Sequence, residues 1–443
     1  MFAKSSLILV CSFNCVVSSV ADDWPQWNGP TRDGVLRETD IVGQIPAAGL
    51  PLLWEAPVAL GYSGPAVAGG RVVVTDYIKR SGIIRNNPGR RDKLRGTERI
   101  QCFDAASGRL LWKHDYDCNY AVSYGSGPRA TPTLHAGLAY TLGAEGNLFC
   151  FDMETGNIVW KKDFSDDFGA TTPLWGHSAS PLIHGDSLIC IVGGTGSQVV
   201  AFDRTTGDEL WRSLKSRAQG YCSPTIITAG GTQQLIVWDP AQVHGLDPDN
   251  GKEYWAQRLN PGYGMSILPP VVEGDQMYLS AEGDISAMFQ LSTDRPDAKI
   301  QWRGNVRSSV YLATSAAMFV DGHLYGSDAK SGALTCAQAV DGKRLWETTV
   351  PTAAHRNGKG YSNGSAFLIR TATGYLIFSE TGDFISANLS PAGYQETGRF
   401  HAIDPTEEMR SRKVVWTFPA ISDGRLFLRN GEKLVCYDVR QSR

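Results

Sequence analysis

The chain has 443 residues, 42% of them apolar and 20% charged, so it can bury a large core and is too apolar for a disordered polymer. Acids outnumber bases by only 45 to 42, a formal net charge of −3. No global field therefore favours nucleic acid or an anionic membrane, and neither is expected as a partner.

In chain order a leader comes first. Lys4 precedes the apolar run Leu7 to Val17, and Ser19-Val20-Ala21 places small residues ahead of Asp22. This reads as a cleaved secretory signal over residues 1–21, which implies a periplasmic or secreted protein. The run is too short for a bilayer, and no later stretch is long and apolar enough to span one. Residues 22–50 form a lead segment without repeats, followed by an orphan strand, Leu52-Leu53-Trp54-Glu55.

From there a repeat governs the chain. Asp104…Gly108…Trp112 recurs as Asp152…Gly156…Trp160, Asp203…Gly207…Trp211 and Asp247…Gly251…Trp255, with Gly342 and Trp346 keeping the spacing after Gln338 in place of the acid. Trp302 and Trp54 mark eroded copies, and successive tryptophans lie 44 to 58 residues apart, a period that belongs to propellers. Each copy reads as a hairpin in which the Asp accepts turn N–H groups, the Gly takes a positive φ, and the Trp packs on the neighbouring sheet. Upstream of each lies an inner-strand pattern starting at Pro65, Pro132, Pro181, Pro224, Pro270, Ala317, Ala366 and Pro419, which makes eight units. The last unit stops at Asp438 without its Trp strand. The expected fold is thus all-β, one eight-bladed propeller of four-stranded antiparallel blades over residues 51–443, with the N-terminal strand closing the last blade.

The first unit is longer than the rest. Between residues 77 and 99 it carries Lys79, Arg80, Arg85, Arg90, Arg91, Lys93, Arg95 and Arg99 against Asp92 and Glu98, eight bases to two acids and a local charge of +6. Asn86-Asn87-Pro88-Gly89 marks a turn at the tip, so a projecting hairpin or loop is expected. The leader aside, seven cysteines remain. Cys102, Cys150, Cys336 and Cys436 all stand two residues before the repeat Asp or its replacement, where Ala201 and Gly245 stand in other copies. A position that accepts Cys, Ala and Gly is a tight apolar contact, not a ligand or redox site.

The repeat, best preserved at Asp152 to Trp160 and Asp203 to Trp211, resembles that of the pyrroloquinoline-quinone (PQQ) repeat propellers. Trp24-Pro-Gln-Trp27-Asn-Gly-Pro30, Gly127-Pro-Arg129-Ala-Thr-Pro132 and Trp175-Gly-His-Ser-Ala-Ser-Pro181 are similar to secreted members found in planctomycete-type bacteria. Two kinds of relative bracket what the resemblance implies: quinoprotein alcohol dehydrogenases and the propeller lipoprotein of the barrel-assembly machinery. The dehydrogenases hold PQQ and Ca²⁺ in the central channel beside a vicinal Cys-Cys ring, whereas this chain has no adjacent cysteines. It also lacks His-Glu-x-x-His, Cys-x-x-Cys, a phosphate loop and a Gly-x-Ser-x-Gly elbow.

Aligning the inner strands on the residue three before each starting position gives Tyr62, Arg129, Ser178, Tyr221, Ile267, Thr314, Asn363 and Trp416, which should ring one mouth of a wet channel. His177 lies beside this ring and is expected in the polar channel wall. An aromatic, hydrogen-bonding ring with one cation suits a small anion, a quinone or a glycan. The expected function is a monomeric, non-catalytic binding or assembly platform for a protein or glycan partner, with no cofactor and no metal. The alternatives are a PQQ-dependent alcohol or sugar oxidoreductase using PQQ with Ca²⁺, and a carbohydrate-binding propeller.

Overall fold

The computed structural model describes residues 23–441 other than 217, 306, 313, 354–359, 410 and 411. The expected leader lies outside the described residues. Eight four-stranded antiparallel sheets follow one another around a ring. Blade 1 comprises Ala66–Ala68, Arg71–Ser81, Asp92–Asp104 and Leu110–Val122, and blade 2 comprises Thr133–His135, Leu138–Leu142, Asn147–Asp152 and Ile158–Asp163. Blades 3 to 7 start at Leu182, Thr225, Val271, Met318 and Ala366. In blade 8 the strands Ala420–Ser422, Arg425–Arg429 and Lys433–Asp438 are completed by Leu52–Pro57, which pairs with the last of them and sets Trp54 opposite Cys436. The ring is closed between the two ends of the chain as expected.

Sequence and burial agree strand by strand. The third strand of blade 2 is buried at four consecutive positions, Leu148 to Phe151, because adjacent blades cover both faces of the sheet. The outermost strand buries Trp160 and exposes Ile158 and Val159. Register explains the small residues of the repeat: Cys102, Cys150, Ala201, Gly245, Cys336 and Cys436 each pair across the ladder with the blade's tryptophan. A Cβ on Gly245 would lie 2.3 Å from the Trp255 ring, so only a small group fits beneath an indole. The seven described cysteines are all unpaired and buried. Burial pushes the thiols of Cys102 and Cys150 up to about 12, and they remain neutral fillers.

The indole also reaches the next blade. Nε1 of Trp54, Trp112, Trp160 and Trp302 donates to the carbonyls of Ala105, Met153, Arg204 and Ala339, at 2.8 to 3.1 Å. Each acceptor immediately follows the Asp, or its Gln substitute, of the following blade. The ring itself lies against that blade's repeat glycine, where a Cβ on Gly108, Gly156, Gly207 or Gly251 would come within 2.5 to 2.7 Å of the preceding tryptophan. The turn thus needs glycine twice, for a φ near +72° at Gly156 and for contact with Trp112. Asp152 accepts from the Thr155 backbone N–H at 2.8 Å, which holds its carboxyl below the usual range.

Gly156→Ala should lower the unfolding free energy by about 2–4 kcal/mol, combining left-handed strain with overpacking. Gly137, at φ +79° but with open space around it, should lose only about 1–2 kcal/mol as Gly137→Ala. Equal losses in denaturant titrations would show that the indole contact contributes nothing.

Candidate functional site

The lead segment forms the floor of the channel. Innermost strands present unpaired backbone edges to the axis, and these groups need partners. The Val67 N–H of blade 1 donates to Trp24 O at 2.8 Å and the Leu134 N–H of blade 2 to Pro25 O at 2.7 Å, while Leu36 N–H donates to Arg370 O of blade 7 at 2.8 Å. Between them Arg32 reaches blades 3 and 4. Its Nε donates to Gln26 Oε1 at 2.8 Å, Nη1 to Pro224 O at 2.9 Å and to Ser180 O at 3.3 Å, and Nη2 to Pro181 O. Burial among carbonyls lowers this guanidinium to about 9. Trp27, 7% exposed, meets Phe418 edge-on with ring centroids 5.1 Å apart. The expectation of a wet channel running through the ring is corrected here: this segment fills one end.

Above Trp27 the other end opens into a cavity of about 750 Å³, and all eight aligned ring positions, Tyr62 round to Trp416, line it. Alignment found them because every inner strand leaves the axis at the same offset. It missed Trp175, Tyr124 and Tyr263, which also line the cavity but sit on inter-blade loops with no repeat. The rings form inclined pairs: Tyr62 with Trp416, Tyr124 with Trp416, and Trp175 with Tyr221 at 5.3 Å. Trp416 is held from behind, its Nε1 donating at 3.1 Å to Glu380, whose buried carboxylate also accepts from Arg412 at 2.8 Å.

Arg129 is the cation of this wall. Its Nη1 donates to Ser123 O at 3.4 Å and to Trp175 O, and its Nη2 to Gly127 O at 3.2 Å and to Tyr124 O. The buried Nε has no hydrogen bond among the described residues. The guanidinium lies 5.4 Å from the Tyr62 ring centroid, and burial lowers its pKa. Like Arg32 it is fixed by carbonyl dipoles, with no ion pair among the described residues.

The basic insertion supplies part of the roof. Instead of a loop standing apart, it lengthens three strands of blade 1, and its tip turns inward so that Pro88 and Gly89 line the cavity. Asn86 Nδ2 donates to Glu408 O of the hairpin formed by Glu407–Met409 and Arg412–Val414, and Ser123 Oγ donates to Asn87 O at 2.6 Å. Its charge is partly neutralised. Arg99 pairs with buried Asp76 at 2.6 Å, Arg80 with Asp117 at 2.8 Å and Arg85 with Asp92 at 3.4 Å, while Arg91 donates to three carbonyls. Lys79, Arg90, Lys93 and Arg95 carry no ion pair among the described residues.

His177 does not face the cavity. It is 3% exposed and packs edge-on against Phe164, with centroids 5.3 Å apart, behind the wall it was expected to form. Burial depresses it to about 3. A Ca²⁺ beside a bound quinone wants six to eight oxygens, several of them anionic. Among the described residues the lining offers one carboxylate, Glu282, and no three His, Cys, Asp or Glu side chains gather as metal ligands. The donor set does not fit PQQ with Ca²⁺.

The sequence profile of the family described as outer membrane protein assembly factor BamB matches residues 96–236 and 195–381. No curated protein matches the chain. Among solved structures, BamB from Moraxella catarrhalis is 16% identical, with a TM-score of 0.56 over 88% of this chain and 99% of its own. Quinohemoprotein alcohol dehydrogenase from Comamonas testosteroni is 14% identical, with a TM-score of 0.61 over 95% and 81%. A europium-containing methanol dehydrogenase is 13% identical, with a TM-score of 0.60 over 93% and 90%. Likeness at these identities shows the fold alone.

His177 makes a pH prediction. Its folded pKa lies below the unfolded value, so between about pH 6.5 and 3 the unfolded chain binds the extra proton and stability falls as pH falls. His177→Phe should reduce the loss between pH 7 and 4.5 by about 2–3 kcal/mol. An unchanged acid limb would mean that the imidazole is protonated in the fold.

Proposed function

Because the chain belongs to the BamB-type family of PQQ-repeat propellers, we propose that it is a non-catalytic binding platform, periplasmic or secreted, whose ligand enters the floored cavity. The observation that carries this reading is the lining itself. Aromatic faces and neutral hydroxyls surround one fixed cation, and among the described lining residues Glu282 is the one carboxylate that could act as a general base. Such a wall holds a ligand in place and has little with which to transform it. The leader read from the sequence supports export. A protein partner on the outer surface rests on the likeness to BamB, described as an assembly factor, and such a partner would leave the cavity for a smaller ligand.

Two measurements test this. Purified protein supplied with PQQ and Ca²⁺ should reduce no artificial electron acceptor at the expense of alcohols or sugars; turnover would establish the oxidoreductase reading instead. A thermal-shift screen of small molecules should find stabilising ligands whose affinity drops at least tenfold in Tyr221→Ala. Ligands that bind the variant and the native protein equally would place the site elsewhere.

A further inference from the structure

Resting on that reading of the cavity, we propose that its ligand is the terminal uronic acid of an acidic oligosaccharide, with the ring among the aromatic walls and the carboxylate at Arg129. The shape argument comes from the inclination of the rings. Tyr62 and Trp416 meet at 38°, Tyr124 and Trp416 at 58°, and Trp175 and Tyr221 at 64°. A flat polycycle stacks best between near-parallel faces about 7 Å apart, twice the carbon–carbon contact distance. Neighbouring rings inclined to one another in this way make a non-planar aromatic wall, which matches the C–H faces of a puckered body better than one flat polycycle.

The polar groups suit hydroxyls. The Asn363 side-chain amide lines the cavity without a hydrogen bond among the described residues, and Ser178 Oγ is engaged only by a long donation of 3.4 Å to Tyr221 O. Charge selects an acid over a neutral sugar. Every Nη hydrogen of Arg129 is spent on a carbonyl, so the cation cannot turn away, while its Nε–H has no hydrogen bond and its charge no ion pair among the described residues. A fixed cation in a confined, partly dry site favours an anion that arrives. Outside, Arg90, Lys93 and Arg95 stand exposed on the roof extension. Arg90 directly follows the cavity-lining Pro88 and Gly89, and exposed cations on this extension steer an acidic chain toward the protein.

The test is calorimetric titration of the full-length mature protein with a galacturonic acid trisaccharide, its methyl ester and the matching neutral galactose trisaccharide. The acid should bind at least tenfold more tightly than either comparator, and more weakly as salt rises. Arg129→Gln should abolish that preference. Because Arg129 also clamps four carbonyls this variant can fail to fold, and the ester on native protein then decides alone. No binding of the acid, or equal binding of all three sugars, overturns the uronate assignment and leaves the cavity reading to its own screen. Tighter binding of the planar acid trimesate overturns the shape argument. Acid binding unaffected by Tyr221→Ala and Trp416→Ala lies outside the cavity and overturns both.

Discussion

An indole laid over the glycine of the next blade's turn is the contact on which the ring depends. It is made at five of the eight interfaces, by Trp54, Trp112, Trp160, Trp211 and Trp302 against Gly108, Gly156, Gly207, Gly251 and Gly342, and all of these but Trp211 end in a directional bond from Nε1 to the carbonyl after the turn Asp or its Gln substitute. At those interfaces the contact sets how closely adjacent sheets approach. Trp54 makes the same contact from the N-terminal strand onto Ala105 and Gly108. The strand that closes blade 8 therefore also staples blade 8 to blade 1, and the seam is built like the interfaces that join blades 1 to 2 and 2 to 3.

Closure creates a central problem that the lead segment solves. Eight inner strands bring backbone edges to one axis, and unpaired carbonyls there invite a cation. Arg32 answers at the floor and Arg129 in the wall, each held by carbonyl oxygens with no carboxylate bonded to it among the described residues. The two differ in what remains. The Nε and both Nη of Arg32 are engaged within the protein, whereas Arg129 keeps a buried Nε–H and faces the cavity. The first is fully engaged within the protein, and on the second the proposed ligand site rests.

How much of this was legible follows from which contacts have a period. The turn, the tryptophan, the small residue opposite it and the ring of eight all recur at fixed offsets, so self-comparison finds them. Arg32 was invisible because its partners Ser180 and Pro224 lie 148 and 192 residues away and occur once. Trp175, Tyr124 and Tyr263 escaped for the same reason. His177 misled because sequence adjacency to Ser178 says nothing about which side of the backbone a ring takes; Phe164, from the preceding blade's terminal helix, claimed it. The basic insertion was expected as a projecting hairpin or loop with a turn at its tip, and the fold of that tip over the channel depends on Glu408 and Ser123, which no local pattern connects to it.

The central claim is that residues 24–36 seal one end of the ring and so make a cavity of what would otherwise be a pore. Hydrogen exchange read by mass spectrometry reports on it directly. The amides of Gly34 and Leu36, together with those of Val67, Leu134 and Arg370, which donate to this segment or accept its company, should exchange as slowly as the interior strands of the blades. Exchange within seconds across 24–36, with the inner strands of blades 1, 2 and 7 equally labile, would show an open channel and remove the floor on which the site is built.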